Sequence, residues 1–361
     1  MNINSLYKKE GIEEIQKMKQ KEVNAIAKDI AIKLCLAFPE QNLNRNVLFD
    51  NISTINMYRA KMSKDSSGAK YLAKANSIYF NNELDFSELP DVAMHECIHF
   101  LQHSRSNGQM GLYNYSNGLA LNEASVQLMA SYANMCENTQ EKLYGITINT
   151  NSPTYYPLEC AIVKQMAYFT GSYPLYSSTL NSNDIFKHTF ISKFNKKIYN
   201  HISKELDKLL NLENDTHFYS VELSYATKER QIKHLNNIIS AQKKEIAKQF
   251  FNIQNYIIKN CFCIEFSNIT NNTLLSEFKK NIYRFKNVIG YTDEYTYYND
   301  FYCDMMNAVE QKKKEIINSA THEIKPTALI VVDKKRPSLL LMYNAIRKLK
   351  KLIGLNVQEE V

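Results

Sequence analysis

The chain has 361 residues, with 44 Lys and Arg against 37 Asp and Glu for a formal net charge of +7. That length suffices for one large domain or two modest ones, and 44% hydrophobic with 22% charged residues is the balance of a globular protein rather than a disordered or fibrous one. Seven Cys without framework spacing argue against a disulfide scaffold, the first ten residues lack the apolar stretch of a signal peptide, and apolar runs such as 328–332 are too short to span a bilayer.

A cytoplasmic protein with no membrane span is therefore expected, with signal-independent export and oligomeric state left open. Nine Gly, seven Pro and long stretches of Lys, Glu, Ile and Leu favour helix over sheet. Residues 9–37 read as one amphipathic helix ending before Pro39. Residues 55–62 alternate and carry β-branched and aromatic side chains, 63–68 are turn-like, and 76–81 again read as a strand. Together they predict a small antiparallel sheet.

Ser87 is placed to cap the next helix, with Pro90 in its first turn, where a missing N–H costs little. That helix should run to about Ser104 and stop at 105–108. A polar loop, 107–117, leads to a second helix over about 118–136, and another begins after Pro157. Beyond residue 185 the chain reads as largely helical. Its longest segment, 228–260, repeats Ile232, Ile239, Ile246 and Ile253 every seven residues, the seam of a helical hairpin or coiled coil. Gln242 and Gln249 lie between them, which favours an intramolecular partner over a dimer zipper. A short apolar run, 328–332, precedes a basic terminal helix with a cluster at 347–351. No aromatic stacking platform or groove-reading motif accompanies that cluster, so nucleic acid is not the expected partner.

The informative feature is His95-Glu96-Cys97-Ile98-His99. On a helix, residues four apart share a face one turn apart. Two imidazoles so placed can hold one Zn²⁺ at about 2.0–2.1 Å each. Glu96 is turned about 100° away, where it can act on a water rather than join the ligands. The flanking Val92, Ala93, Met94, Ile98, Phe100 and Leu101 make the helix apolar nearly all round, hence buried. Two His and a Glu inside a buried helix need partners.

A catalytic zinc site takes three protein ligands and keeps one position open. His103 lies about 12 Å along the helix axis from His95, too far to share one ion. Glu123, on the next helix after a loop long enough to turn the chain back, is the best third ligand. Glu137, near or past that helix's end, is the second choice.

The pattern His-Glu-x-x-His on one helix, then Asn122-Glu123-Ala124 on the next, resembles the gluzincin metallopeptidases, the group that includes the thermolysin family. The strand at 77–81 is similar to the edge strand such enzymes set above the cleft. The resemblance covers about residues 54–136. It implies His95, His99 and Glu123 as ligands of one zinc ion per chain and Glu96 as general base in peptide-bond hydrolysis. Two departures stand out: a longer gap between His99 and Glu123, and Gln127 where the thermolysin family has an Asp that orients a ligand His. A Gln oxygen can still accept an imidazole N–H, without the charge.

The implied chemistry also needs an oxyanion donor. The candidates are Tyr155 and Tyr156, with Tyr156 preferred, then Tyr113, Tyr115 and His188. The sequence thus predicts a helix-dominated α+β fold: a zincin-like metallopeptidase domain over 1–185, with an N-terminal helical part at 1–53 and the zinc-motif core at 54–136, and a helical C-terminal domain over 186–361. The expected activity is zinc-dependent hydrolysis of a peptide or protein substrate, endoproteolytic because the amino-terminus-gripping Gly-x-Met-Glu-Asn motif of related aminopeptidases is absent. The alternative is a catalytically silent zinc-binding or regulatory protein acting through its helical C-terminal half.

Overall fold

The structure, a computed structural model, describes residues 3–63, 68–84, 89–104, 109–114, 116–289 and 296–322. The expectations for Ser87, the stop at 105–108, Tyr115, the apolar run 328–332 and the basic cluster at 347–351 lie outside the described residues. Residues 1–313 form one compact unit, and the last described residues, 314–322, belong to a second.

The chain begins with α1 (Ile3–Lys9), β1 (Ile12–Lys17) and α2 (Gln20–Ala37). The single helix expected over 9–37 is therefore broken. Gly11 adopts φ +62°, a left-handed conformation open to Gly, and a Cβ there would crowd the Ser63 side chain. Ile12 then buries its side chain and pairs with Met62, so sheet pairing overrides a helical propensity that Glu13 to Lys17 also satisfy. The second helix restarts where Glu22 reaches back to accept the Lys19 amide at 2.8 Å.

After α3 (Arg45–Ser53) come β2 (Asn56–Met62), β3 (Ala69–Leu72) and β4 (Ser77–Asn81), which with β1 form one sheet in the order β1-β2-β4-β3. The two strands read from sequence are neighbours, but they run parallel; only the β1–β2 and β3–β4 pairs are antiparallel. The strand at 77–81 is interior, not the edge. The short β3 takes the edge position, because the turn after it folds 69–72 back onto the outer side of β4. Ile78 and Phe80 point into the main core, while Tyr79 points to the other face, stacked on Tyr58 at 5.1 Å with its hydroxyl 2.9 Å from that of Tyr7.

The main core lies between that sheet and helices α2, α3, α4 (Leu89–Ser104) and α5 (Leu119–Ala133). A hairpin follows, β5 (Thr139–Leu143) and β6 (Ile146–Thr150), then α6 (Pro157–Thr170), α7 (Ser172–Asn181) and α8 (Ile185–Phe194). The remaining elements are α9 (Lys196–Tyr225), α10 (Glu229–Ser267), α11 (Asn272–Val288) and α12 (Thr296–His322). The fold is helix-dominated α+β. The long α10 pairs with α9 in an antiparallel hairpin: Gln249 donates to Glu205 at 2.8 Å, and Thr216 meets Gln242 at 3.3 Å. Ile239, Ile246 and Ile253 are buried on that seam, so the heptad serves an intramolecular hairpin. Packing continues across residue 185, with α8 against α6 and α7, and α9 against α5. Among the described residues, no helix is long and apolar enough to cross a membrane.

Candidate metal centre

Helix α4 is buried along most of its length, and the three polar residues of its motif are buried with it: His95, Glu96 and His99. The i,i+4 spacing brings the two imidazoles together with Nε2 atoms 3.0 Å apart. From α5, Glu123 Oε2 reaches 3.4 Å from His95 Nε2 and 3.3 Å from His99 Nε2. A tetrahedron with arms of about 2.0–2.1 Å has edges of roughly 3.3 Å, so these three atoms are spaced as one face of such a coordination shell would be. They form a group able to hold a metal ion.

Buried amides fix the imidazole tautomers. Asn122 Oδ1 accepts the Leu112 backbone N–H at 3.0 Å, so it is an acceptor, and Gln102 Nε2 donates to it at 3.0 Å. That leaves Gln102 Oε1 facing His99 Nδ1 at 3.0 Å, so Nδ1 carries the proton. Likewise Gln127 Nε2 donates to Ser131 Oγ at 3.1 Å and its Oε1 accepts from His95 Nδ1 at 2.8 Å. With both Nδ1 atoms committed as donors, both Nε2 atoms face Glu123, an arrangement that suits a positive charge between them, a metal ion or a proton. The expectation that Gln127 orients a histidine through its amide oxygen agrees with this geometry.

The charges agree. Burial pushes the His99 imidazole down, but the Glu123 carboxylate, helped by Glu96 and Gln102, outweighs it and raises the group to about 9. Burial pushes the Glu123 carboxyl up, yet the two histidines hold it far below the usual carboxylate range.

Three supports come from outside the motif. Helix α5 starts at Gly118, which has no side chain to cap it; Asp207 of α9 does so, accepting Gly118 N–H at 2.8 Å and Ala120 N–H at 2.9 Å. Ser182, at the end of α7, donates to the Gln102 carbonyl at 2.9 Å and accepts the Gly111 N–H at 2.9 Å. Gly111, at φ +59°, lies so close to Asn122 and Gln102 that a Cβ would run into both. None of these supports carries a local sequence signal, although Asn122 stands inside the Asn-Glu pair.

Above the three ligand atoms is a cleft of about 280 Å³. Its walls are β3 (Ala69, Lys70, Tyr71), α4, Met110, the start of α5, Tyr155 and Tyr156, and Leu210 and Asn214 of α9. Glu96 faces this cleft, and its Oε2 accepts the Tyr71 backbone N–H at 2.6 Å. His103 is not among the ligands: its Nδ1 meets the Tyr71 hydroxyl at 3.0 Å. Glu137 is exposed beyond the end of α5.

Of the tyrosine candidates, Tyr155 and Tyr156 line the cleft, whereas Tyr113 pairs with Met110 in the inter-helix loop and His188 is exposed on α8. Tyr156 lies with its ring 6.1 Å from that of His95 and lines the cleft together with Glu123. Burial first, then Glu123, Glu96 and Glu159, push its phenol well above the ordinary range, so it stays protonated and can donate. Its backbone is left-handed at φ +52° directly before Pro157, costing about 1–3 kcal/mol for a bulky residue. The loop is held in that state by Ser152 Oγ, which donates to the Tyr155 carbonyl at 2.7 Å, and by Lys164, which donates to Asn151 at 2.8 Å.

No protein-family model, curated protein or solved structure matches this chain. The functional reading therefore stands on the site itself.

Proposed function

We propose that the protein is a zinc-dependent peptidase with a gluzincin-like centre. The observation that carries this reading is the convergence of two tautomer-fixed Nε2 atoms and the Glu123 carboxylate within 3.0–3.4 Å. Two imidazoles and one carboxylate on a tetrahedral face are a donor set suited to zinc, and three ligands leave one position for chemistry. When bound there, zinc supplies Lewis-acid polarisation of a carbonyl and of water.

The chain's own groups do the rest. Glu96, on the cleft side of the motif helix, takes a proton from the attacking water and returns it to the leaving amine. Tyr156, which lines the same cleft, donates a hydrogen bond to the carbonyl oxygen as negative charge develops on it. The edge strand β3 and helix α9 both line the groove that receives an extended peptide. The alternative, a metal-binding protein without turnover that acts through its helical C-terminal half, is favoured by one observation: the Tyr71 amide engages one oxygen of Glu96.

The test is direct. Elemental analysis of the purified chain should give about one zinc per chain, and the protein should cleave a quenched-fluorescent peptide library. Glu96→Gln should keep the zinc and lose the cleavage. A chain that binds zinc but cleaves no peptide supports the silent reading. Metal-free protein indistinguishable from its His95→Ala variant removes both.

A further inference from the structure

Helix α6 carries, in its first turn, a carboxylate with no donor to hold it. Glu159 is fully buried, and neither of its oxygens has a hydrogen-bond partner among the described residues. Beside it is a second carboxyl, Glu213 of α9, and the Tyr144 side chain lies next to Glu213 in turn. Helix α6 packs on both α9 and β6, so three elements distant in sequence gather these oxygens. Tyr144 is set there by its place in the two-residue β5–β6 turn. Tyr144 at φ +53° and Gly145 at φ +85° give both central residues the positive φ of a type I′ hairpin.

Two carboxyl groups side by side repel each other when ionised, and the fully buried Glu159 loses its hydration as well, so burial and Glu213 push its carboxyl well above the usual range. Among the described residues, no Lys or Arg pairs with either. A shared proton would satisfy one oxygen of each carboxyl and leave the other Glu159 oxygen bare. A divalent cation touches both carboxylates and neutralises the pair. Glu213 is only half-buried, which gives an ion a path from solvent and room for water ligands. The donors are all oxygen, the chemistry of calcium, magnesium or manganese rather than of zinc.

We propose that Glu159 and Glu213, with the Tyr144 hydroxyl, bind a hard divalent cation at a second site separate from the His95, His99 and Glu123 centre. Glu159 lies one turn into the helix that Tyr156 begins, so the cation ties the start of α6 to α9. That is where Tyr156 meets Glu123. The inference does not depend on peptidase activity.

The experiment uses the full chain, dialysed against chelator-resin-treated buffer, with Ca²⁺ as first probe and Mg²⁺ and Mn²⁺ as the others. Binding is read by equilibrium dialysis and by the thermal midpoint. The expected result is about one equivalent of one of these ions, beyond any metal at the histidine site, with a raised midpoint. Glu159→Gln and Glu213→Gln should each weaken binding by tenfold or more, on the order expected for loss of a carboxylate ligand, whereas His95→Ala should leave it intact. If Glu159→Gln fails to fold, the half-buried Glu213→Gln decides. Wild-type protein that binds none of the three ions, with Glu213→Gln at least as stable, overturns the proposal in favour of a shared proton. Binding that survives both substitutions overturns it by placing the ion elsewhere.

Discussion

The Glu96 carboxylate accepts the backbone amide of Tyr71 at 2.6 Å. This amide is available because β3 alternates along its length: the Gly68 carbonyl bonds the Asn81 amide of the β4 side, so position 71 points outward, toward the motif helix. The sheet edge therefore aims the proposed base. Glu96→Gln preserves the shape and the amide contact but cannot take a proton. Hydrolysis is expected to fall by about 10²–10⁴-fold with zinc content unchanged, as read by peptide cleavage alongside elemental analysis.

Gln127 holds His95 by its Nδ1–H at 2.8 Å. Gln127→Ala frees the ring to rotate and lose its tautomer. Zinc affinity should drop about 10–100-fold, measured by competition with a chromophoric chelator, while Gln127→Asp should retain it. Equal affinity in wild type and Gln127→Ala would show that the contact does not orient the ligand.

Asp207 caps a helix that has no capping side chain of its own. Asp207→Ala should destabilise the chain by about 1–2 kcal/mol in denaturant unfolding. It should also loosen metal binding, since the capped helix carries Glu123. Asp207→Asn, which keeps one acceptor, should fall between.

The metal-free chain should be pH-sensitive in a defined direction. His99 is raised from 6.5 to about 9, so its contribution to stability is complete below pH 6.5 and is lost as pH rises through 9. Glu123 is shifted the opposite way, so its contribution is present above pH 4.5 and disappears only in strong acid. Calorimetry should find the metal-free midpoint falling between pH 6.5 and 9 while that of the metal-loaded chain does not follow. Parallel curves would refute the proton's role as stand-in for the metal.

Gly111→Ala combines a left-handed backbone with a collision against Asn122 and Gln102. It is expected to cost roughly 2 kcal/mol or more and to weaken zinc binding through His99. Chemical denaturation and the chelator assay measure the two effects separately.

Much of the metal centre was legible because its rules are local. Two His four residues apart on an apolar helix must share a face, and Gln127 lies one turn beyond Glu123 on the same side of its own helix. Tyr156 was legible only as a polar ring before a helix-starting Pro; nothing in the sequence signals its left-handed backbone. The helix-dominated class and the α9–α10 hairpin followed from composition and from the Ile repeat. The break at Gly11 was not legible, because Ile12, Ile15 and Met18 are spaced as on a helix face; pairing with β2 wins, and the irregularity between Glu13 and Gln16 lets Ile12 and Ile15 reach the same cluster. The edge position of β3 was missed for a related reason: four residues, Ala-Lys-Tyr-Leu, carry too little periodicity to mark a strand. Asp207, Ser182 and Glu213 act across long stretches of chain, and no window of sequence contains both ends of such a contact.

The Asp207 cap has a consequence for the order of events during synthesis. The residues that would grip a metal leave the ribosome well before Asp207 does, yet the helix bearing Glu123 lacks its N-terminal partner until α9 has emerged and folded back. Closing so long a loop is slow compared with forming either helix. On the proposed reading, the nascent chain would carry both histidines before the Asp207 cap that steadies the Glu123 helix, and metal binding would follow the docking of α9.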